Sequence, residues 1–469
     1  MKTINNYFII LLILLIIPLM SKSETVNDIT QLNPIIVNQI AIPQSIEEIS
    51  QLIANHNGPI SIGGGQYSQG GQIATENCLF LDMRKLNKII KLDKQKKQIT
   101  VEAGITWRKI QEAIDSQGLS LKIMQSFSNF TVGGSLSVNA HGRYVNEGAI
   151  IRSVESIKIV LADGTIIEAN PTQNSDVFFG AIGGYGGLGV IVEATLNLDI
   201  NTPVIRFADK MNINTYKDYF FQHIRYSKDA IFHNADLYPP DYQHVTAVTW
   251  SKTDKLVTIH ERLAPQNRPT LYQEYLLNWI ASSQSGKYFR QYIYDWYKNL
   301  GEVIEWRNYE ASYDVNSIEP TSRKKSTYVL QEYFIPIENF DSFVNTMRSI
   351  LKKNQVNVIN ISIRHALPDP DSYLGWARTE VFSFVIYYKQ GVTEIDKQKV
   401  KMWTSQLIDA ALDERGTYYL PYQILASNKQ FLTAYPRAGE FFKLKNQIDP
   451  TYKFRNKFFD LYFEAFLKN

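Results

Sequence analysis

Glycine is concentrated in three clusters within the first 190 of the 469 residues. The clusters are Gly63-Gly64-Gly65 with Gly70-Gly71, Gly133-Gly134 with Gly142, and Gly183-Gly184-Tyr185-Gly186-Gly187-Leu188-Gly189. Glycine has no Cβ, so its backbone amides can approach a bound anion closely, and consecutive amides can form an anion-binding nest. Any one cluster could be an ordinary turn. The order and spacing of the three therefore carry more weight than any cluster alone.

The third cluster contains Gly184-x-Gly186-x-x-Gly189, which matches the dinucleotide-binding fingerprint. That fingerprint works only where it follows a strand and opens a helix, because the pyrophosphate must meet the helix N-terminus. Here Gly189 opens the strand-like segment 190–196 instead. The pattern therefore excludes a nicotinamide-binding Rossmann site at this position.

Helical and extended segments alternate through the first half of the chain. Ser45 and Glu48 form a capping-box pattern that predicts a helix, and residues 60–62 then predict a strand that runs into the first glycine cluster. A strand over 99–102 precedes a helix that begins at Thr106 and ends at Gly118. The first half is therefore predicted to be a mixed α/β unit.

The segments 156–162 and 165–168 flank Asp163-Gly164, a strong signal for a β-hairpin. After about Pro203 the glycine density drops and aromatic segments such as 287–292 appear. We therefore expect a domain boundary near Pro203.

Five motifs follow one another in a fixed order. They are Ile60-Ser61-Ile62-Gly63-Gly64-Gly65-Gln66-Tyr67-Ser68, Val101-Glu102-Ala103-Gly104, Thr131-Val132-Gly133-Gly134-Ser135-Leu136-Ser137-Val138-Asn139-Ala140-His141-Gly142, Ala162-Asp163-Gly164 and Gly184-Tyr185-Gly186-Gly187-Leu188-Gly189-Val190-Ile191. In this order they closely resemble the FAD-binding domain of the vanillyl-alcohol oxidase and para-cresol methylhydroxylase (PCMH) superfamily.

This resemblance implies an α+β fold. It consists of a two-subdomain, mixed α/β FAD-binding domain of the PCMH type and a substrate (cap) domain with an antiparallel sheet and flanking helices. The expected division is a signal peptide or N-terminal anchor (1–23), the FAD-binding domain (34–200), the cap domain (201–415) and a C-terminal segment that returns to the FAD-binding domain (416–469).

The resemblance also assigns FAD contacts to the three glycine loops and to the tail. The assigned residues are Gly63, Gly64, Gly65, Gln66, Tyr67, Ser68, Thr131, Gly133, Gly134, Ser137, His141, Ile191 and Asn456. His141 could equally be a structural histidine. Many relatives have a histidine immediately before the serine of the first loop as the covalent link to the flavin, whereas this chain has Tyr67 before Ser68. Because no cysteine lies near the second loop either, we expect noncovalent FAD.

Candidate catalytic residues lie in the second half. Glu332, in the segment 330–336, resembles a glutamate that contacts substrate or flavin in sugar-acid lactone and polyol oxidases, and a solvated strand carboxylate is the alternative. Period-2 alternation places Asn360, Ser362 and Arg364 on one face of a strand. Arg364 is the better candidate for stabilising negative charge, because arginine is a fixed charge with a forked set of donors.

The tail resembles the end of enzymes similar to L-gulonolactone oxidase and decaprenylphosphoryl-ribose oxidase, in which the chain returns to the flavin. Gln423 falls where relatives often carry a lysine or histidine, and glutamine cannot act as a base at neutral pH. The alternatives are a base elsewhere, with His365 and Tyr387 as candidates, or a relay through water or Tyr422.

These features predict an FAD-dependent oxidase or dehydrogenase acting on a CH–OH donor such as a sugar, sugar lactone, polyol or hydroxy acid. O2 or another electron acceptor completes the reaction. The alternative is a flavin-binding or substrate-binding protein with little or no turnover, suggested by Tyr67 and Gln423.

The charge pattern and the N-terminus narrow the range of partners. The net charge is only +3 and basic residues are dispersed, so a nucleic-acid partner is not expected. Cys78 is the single cysteine, and no metal site is predicted. The apolar run 8–20 has the pattern of a signal sequence and is shorter than the approximately 20 residues of a membrane span. We therefore expect export to the periplasm or outside the cell, with membrane attachment only if this segment is not cleaved.

Overall fold

The structure is a computed structural model that describes residues 24–266, 270–320 and 322–468. The predicted signal peptide or anchor (1–23) lies outside the described residues. No helix in the described ranges is both long enough and apolar enough to cross a membrane.

Strands and helices follow one another along the described chain. The strands are β1 Glu24–Val26, β2 Ile35–Val37, β3 Gln39–Ala41, β4 Ile60–Gly63, β5 Leu79–Asp82, β6 Ile89–Asp93, β7 Gln98–Glu102, β8 Leu119–Leu121, β9 Val154–Val160, β10 Ile166–Ala169, β11 Val190–Ile200, β12 Pro203–Asn212, β13 Ala230–Leu237, β14 His244–Lys252, β15 Ile304–Trp306, β16 Ser326–Pro336, β17 Val358–Ala366, β18 Val381–Gly391 and β19 Thr417–Tyr418. The helices are α1 Ile46–Asn55, α2 Trp107–Asp115, α3 Val132–Ser137, α4 Ser175–Ala181, α5 Ile213–His223, α6 Leu271–Ser282, α7 Gln284–Phe289, α8 Asp295–Lys298, α9 Arg307–Glu310, α10 Phe340–Lys353, α11 Glu394–Asp413, α12 Asn428–Ala434, α13 Ala438–Ile448 and α14 Lys457–Leu467.

The first half contains two sheets that carry the glycine loops. A parallel sheet has the order β3-β5-β4, and an antiparallel sheet has the order β10-β9-β11-β7-β6 with β8 paired to β11. The first glycine cluster follows β4, and the third precedes β11. The loops therefore leave the ends of buried strands, which fixes their positions.

The second half is built on one eight-stranded antiparallel sheet with the order β15-β12-β14-β13-β17-β18-β16-β19. Buried apolar side chains of α10 and α11 pack with those of β16 and β18 in the main hydrophobic core. The predicted α+β class, with mixed sheets first and an antiparallel sheet with helices afterwards, is confirmed.

Several local predictions can be compared with individual elements. The β9–β10 hairpin forms around Asp163-Gly164, as predicted. The helix predicted at Ser45 is α1, and the Ser45 hydroxyl accepts a hydrogen bond from the Glu48 amide. The reciprocal half of the capping box was predicted wrongly, because the Glu48 carboxylate accepts from the amide of Gln44 instead.

The tail contacts the glycine-loop half of the molecule through its backbone. The Ile60 amide donates to the Lys453 carbonyl at 2.7 Å, and the Arg455 amide donates to the Ile60 carbonyl at 3.0 Å. A few residues earlier in the tail, the Lys445 ammonium donates to the carbonyl of Gly187 at 2.8 Å. The tail therefore holds β4 through the segment between α13 and α14, and the third glycine cluster through α13.

Candidate active site

A single cavity of about 1280 Å³ is lined both by the glycine loops and by the eight-stranded sheet. Ligand pockets in proteins usually measure about 300–1,000 Å³, so this space is large enough for more than one small molecule. One wall carries residues of the first and second glycine loops, and the opposite wall carries side chains of β13, β16, β17 and β18.

The first two glycine loops approach each other too closely for side chains. A Cβ on Gly64 would lie 2.3 Å from the Thr131 hydroxyl oxygen, and a Cβ on Gly65 would lie 2.8 Å from the Tyr67 ring. Gln66 adopts a left-handed conformation with φ 62°, which is uncommon outside glycine. Glycine is therefore required where these backbones meet at the cavity wall.

The second loop enters the short helix α3. A Cβ on Gly133 would lie 2.9 Å from the Cβ of Ala103. The Ser137 hydroxyl donates to the Gly133 carbonyl at 2.7 Å. The Thr131 hydroxyl is buried and has no hydrogen-bond partner, which leaves it available to a ligand.

Most of the predicted FAD-contacting residues line this one cavity. They are Gly64, Gly65, Gln66, Tyr67, Ser68, Thr131, Gly133, Gly134, Ser137, His141 and Ile191. Residues up to 127 positions apart in sequence are thus brought to one surface by the fold.

Gly63 and Asn456 are the two predicted FAD contacts that do not line the cavity. A Cβ on Gly63 would lie 2.1 Å from the Phe80 ring, so Gly63 faces the core. The Asn456 amide donates to the Tyr185 carbonyl at 2.9 Å, and its side-chain oxygen accepts from the Phe458 amide at the start of α14. Asn456 is therefore a helix cap that holds the third glycine cluster.

The centre of the site is a buried carboxylate on β16. Glu332 Oε1 lies 2.6 Å from His141 Nε2, and the Ser383 hydroxyl also donates to Oε1. The Tyr422 hydroxyl donates to the other oxygen, Oε2, at 3.4 Å. Two of these three partners, His141 and Tyr422, line the cavity together with Glu332, whereas Ser383 does not.

Electrostatics keep this carboxylate charged. Burial alone would favour its neutral form, but His141, Arg364 and the Ser383 hydroxyl together hold the pKa of Glu332 below its ordinary value. Nδ1 of His141 lies 3.2 Å from the Gly142 carbonyl, so both ring nitrogens of His141 have a hydrogen-bond partner.

Arg364 supplies a further positive charge on the same side. It lines the cavity together with Asn360 and Ser362, so these three side chains lie on one face of β17. Burial lowers the pKa of Arg364, while Glu332 opposes that shift. Its Nε atom is buried without a hydrogen-bond partner, so this side chain can still bind a ligand.

Gln423 does not line the cavity, whereas the preceding residue Tyr422 does. The Gln423 amide donates to the side-chain oxygen of Gln390 at 2.7 Å. Of the two predicted residues, Tyr422 is therefore the one that reaches the cavity. Burial, then Glu332, raises the pKa of Tyr422 well above its ordinary value, so its hydroxyl keeps its proton.

The two other candidates for a base are engaged in structural contacts. His365 lies outside the cavity lining, and its Nε2 is 2.7 Å from Glu380 Oε1. Tyr387 does line the cavity, but its hydroxyl donates to the Ile318 carbonyl at 2.5 Å. Neither geometry favours a role as base.

A second polar group, which was not predicted from the sequence, also lines the cavity. Arg143 Nη1 lies 2.6 Å from Glu310 Oε1 and donates to Asn234 Oδ1 at 3.3 Å. Glu305 lies beside Glu310, and burial followed by Glu310 raises the pKa of Glu305 to about 10. Glu305 is therefore a neutral carboxyl group that can hydrogen-bond a hydroxylated ligand.

Part of this group could have been found by alternation. Asn234 and Asp236 lie two residues apart on β13, and Asp236 is directly opposite Ser362 on β17. The same period-2 argument that selected Arg364 applies to them. Glu305 sits in a three-residue strand, which is too short to show a period.

The comparisons with known proteins agree with this geometry. Residues 37–170 match the family of FAD binding domains. The chain is 22% identical over 440 residues to L-gulonolactone oxidase of Mus musculus, which covers 90% of this chain and 94% of the relative. It is 21% identical over 424 residues to decaprenylphosphoryl-beta-D-ribose oxidase of Mycolicibacterium smegmatis, covering 84% and 86%. It is 26% identical over 242 residues to mitochondrial L-galactono-1,4-lactone dehydrogenase of Arabidopsis thaliana, covering 51% and 39%.

The fold and these matches define the chain as an FAD-dependent oxidoreductase with an FAD-binding domain of the PCMH type. Among such enzymes it is related to the sugar-lactone oxidases and dehydrogenases and to decaprenylphosphoryl-ribose oxidase. The resemblance recognised in the glycine motifs is thereby confirmed, and so are FAD as the cofactor and the interpretation of the chain as an enzyme.

The residues present fit FAD. Within the described residues 62–140, those that line the cavity include no lysine, arginine, aspartate or glutamate. The side-chain oxygens of Gln125 and Thr131 are buried there without hydrogen-bond partners. Backbone amides of the first loop, together with these polar atoms, would hold the pyrophosphate and flavin, with no cationic clamp.

Proposed function

We propose that the protein oxidises a CH–OH group of a small hydroxylated compound, such as a sugar, a sugar lactone, a polyol or a hydroxy acid. The observation that carries this proposal is the ionised Glu332, which is paired with His141 and opens onto the same cavity as the glycine loops. FAD, when bound, supplies the acceptor for the hydride. The protein must then bind the substrate, orient it and remove the hydroxyl proton.

Tyr422 and Glu332 are arranged to take that proton. The Tyr422 hydroxyl donates to Glu332 Oε2, so its oxygen can accept a hydrogen bond from a substrate hydroxyl at the same time. A proton that leaves the substrate would move to the Tyr422 oxygen as the Tyr422 proton moves to Glu332. Tyr422 never needs to ionise, which agrees with its raised pKa.

The substrate would be selected by Arg364 together with the second polar group, which consists of Arg143, Asn234, Glu305 and Glu310. The positive charge of Arg364 stabilises negative charge that develops on the substrate oxygen. Arg143, Asn234 and the neutral Glu305 add hydrogen-bond donors and acceptors on the same cavity wall. The names of the relatives, which refer to lactones and to a ribose derivative, support a polyhydroxylated substrate.

An anaerobic substrate screen tests the proposal. Purified protein with FAD is mixed with panels of sugar lactones, free sugars, polyols and hydroxy acids, and bleaching of the flavin absorbance is recorded. We expect bleaching with at least one panel. Flavin that is reduced by dithionite but by none of the compounds would refute the CH–OH proposal and favour a protein that binds without turnover.

The electron acceptor and the location of the protein are part of the same proposal. Readmission of O2 after the flavin has been reduced by substrate distinguishes an oxidase, whose flavin reoxidises rapidly, from a dehydrogenase, whose flavin needs a quinone or cytochrome.

We propose export on the basis of the apolar run 8–20, which N-terminal sequencing of the mature protein would test.

A further inference from the structure

The segment 270–300 forms a helical insertion between β14 and β15, made of α6, α7, a π-helical turn over Arg290–Tyr294, and α8. It is rich in tyrosine and tryptophan, and many of these rings are exposed to solvent. The exposed large side chains are Tyr272, Tyr275, Trp279, Tyr288, Tyr292, Ile293, Tyr294, Trp296, Tyr297 and Leu300. We call these ten residues the aromatic surface.

The exposure of this surface is high for apolar side chains. Tyr275 and Tyr297 are 74% and 73% exposed, and Trp296 is 63% exposed. Single exposed apolar residues are normal, but ten of them within one helical segment of 31 residues indicate a site of interaction with a protein or a membrane.

Three of the five charged residues in this segment, Lys287, Arg290 and Asp295, are hydrogen-bonded to residues outside it. The Lys287 ammonium donates to the side chain of Asn357 at 2.8 Å, and Arg290 donates to the Ile359 carbonyl at 3.0 Å. Asp295 accepts a hydrogen bond from the buried Tyr238 hydroxyl at 2.8 Å. A helix on an aqueous surface places its charges outward and its apolar side inward. In this segment most charged residues are partly buried and the large apolar residues are exposed.

Between positions 272 and 300, all of which the structure describes, Lys298 is the only exposed charged residue, whereas Glu274, Lys287, Arg290 and Asp295 are partly buried. A protein partner is normally met by a rim that includes charged side chains. A bilayer surface instead favours tyrosine and tryptophan, whose polar tips stay at the headgroups while their rings enter the apolar region. A single lysine beside them can reach a lipid phosphate.

The cavity reaches the molecular surface at this segment. Tyr294 and Lys298 are both exposed and both line the cavity, and Leu276, Leu277 and Ile280 line it beneath them. Docking through the aromatic surface would place this opening of the cavity against the lipid.

We propose that the aromatic surface docks the protein on a phospholipid bilayer, with its rings in the interfacial layer and no segment of the described chain crossing the membrane. This mode of attachment is independent of the apolar run 8–20. It requires neither the proposed substrate nor turnover.

The test uses the full-length chain with FAD and vesicles of phosphatidylcholine containing a minority of phosphatidylglycerol. In one variant, Tyr275, Trp279, Trp296 and Tyr297 are each replaced by Gln. The matched control replaces four exposed apolar residues elsewhere, Tyr226, Ile395, Met402 and Leu432, by Gln. We expect the first variant to lose vesicle binding by at least about tenfold in cosedimentation, and the control to bind like the unchanged protein.

Tryptophan fluorescence separates this surface from any attachment through the N-terminus. Vesicles with brominated acyl chains should quench the unchanged protein, because Trp296 and Trp279 are exposed on the aromatic surface. Trp279→Phe combined with Trp296→Phe should remove most of that quenching. Trp107, Trp250, Trp376 and Trp403 are buried, and the partly buried Trp306 is covered by the Arg262 guanidinium, 4.0 Å from the ring centroid.

Three results would overturn the proposal. The first is an absence of vesicle binding, and the second is binding that the four Gln substitutions do not change, with no quenching by brominated lipid. The third is a halving of the molar mass, measured by light scattering without lipid, when the four Gln substitutions are introduced. That result would make the aromatic surface an interface between two copies of the chain. Retained flavin absorbance verifies that the variants are folded.

Discussion

Nε2 of His141 lies 2.6 Å from Oε1 of Glu332, although 191 positions separate the two residues. His141 follows the second glycine loop, and Glu332 lies in β16 of the eight-stranded sheet. This contact joins the half of the molecule that would hold FAD to the half that would hold the substrate. It also keeps Glu332 charged, because His141 opposes the effect of burial on its pKa.

Glu332→Gln and Arg364→Met should slow substrate-dependent flavin reduction while flavin content stays nearly normal. Both side chains line the cavity opposite the glycine loops, so the reaction needs them more than the cofactor does. We expect a loss of at least about tenfold, which corresponds to roughly 1.4 kcal/mol of transition-state stabilisation. Rapid-mixing spectroscopy under anaerobic conditions measures the rate.

Matched controls for these variants are the exposed pair Glu338→Gln and Arg415→Met, whose side chains meet at 3.0 Å on the surface. Their reduction rates should equal that of the unchanged protein. Unchanged rates in Glu332→Gln and Arg364→Met as well would assign both residues a structural role and move the reacting site closer to Tyr422.

Gly64→Glu should abolish FAD binding. Even a Cβ at this position would lie 2.3 Å from the Thr131 hydroxyl, and a carboxylate would be pushed toward the cofactor phosphates. The ratio of flavin to protein absorbance after purification is the measurement. Gly439→Glu is the control, because a Cβ on Gly439 meets no atom within 4 Å. A Gly64→Glu protein with full flavin content would mean that the first loop does not hold the pyrophosphate.

FAD should be released by acid denaturation, because the described residues that line the cavity include no cysteine and a single histidine, His141. Tyr67 occupies the position where many relatives carry histidine, and His141 is engaged through both ring nitrogens. Cys78, the single cysteine, is buried in a separate core cluster. After precipitation with trichloroacetic acid, flavin absorbance should appear in the supernatant. A yellow pellet that keeps its flavin after washing would disprove noncovalent binding.

The glycine-loop half was predictable because its signals are local. The hairpin at Asp163-Gly164, the strand before Gly63 and the helix after Thr106 each depend on a few adjacent residues. For the second half, the sequence predicted an antiparallel sheet with flanking helices but not the order of its eight strands. Its order places β15 beside β12 and β19 beside β16, and such pairings depend on contacts between residues far apart in sequence.

Only part of the candidate site could be predicted, because only some of its residues have a local signal in the sequence. Alternation placed Arg364 correctly, because a strand fixes which face a side chain occupies. The tail near Tyr422 has no such period, so the sequence could not show that Tyr422 lines the cavity and Gln423 does not. Glu305 could not be recognised, because its role depends on Glu310 and Arg143, which the fold brings close to it.

Glu380→Gln should lower stability near neutral pH without affecting flavin reduction. The hydrogen bond from His365, together with Arg225, holds the pKa of Glu380 at about 2, against an ordinary value of 4.5. A carboxylate with a lowered pKa contributes stability above its unfolded-state pKa, and that contribution is lost as the pH falls toward 2. The difference in urea midpoint between the two proteins should therefore shrink between about pH 6 and about pH 3. A difference that stays constant, or a slowed reduction rate, would contradict a purely structural role for His365 and Glu380.

Lys445→Met should destabilise the protein strongly. The Lys445 ammonium is fully buried, 3.0 Å from Asp449 Oδ2, and it also donates to the carbonyls of Gly187 and Phe454. Burial lowers the pKa of Lys445 to about 8, and Asp449 opposes that shift, so the ammonium is mostly charged at neutral pH. Removing it leaves a buried carboxylate without a cation, which typically costs about 3–5 kcal/mol.

Urea unfolding followed by fluorescence measures this cost, with Lys443→Met as the control because Lys443 is exposed on the same helix. The double variant Lys445→Met with Asp449→Asn should recover part of the loss, since it removes the unpaired buried charge and keeps a side-chain oxygen for the backbone amides that Asp449 binds. Because Gly187 belongs to the third glycine cluster, Lys445→Met should also release FAD at a lower temperature than the control. Equal unfolding midpoints for Lys445→Met and Lys443→Met would show that the tail does not depend on this ion pair.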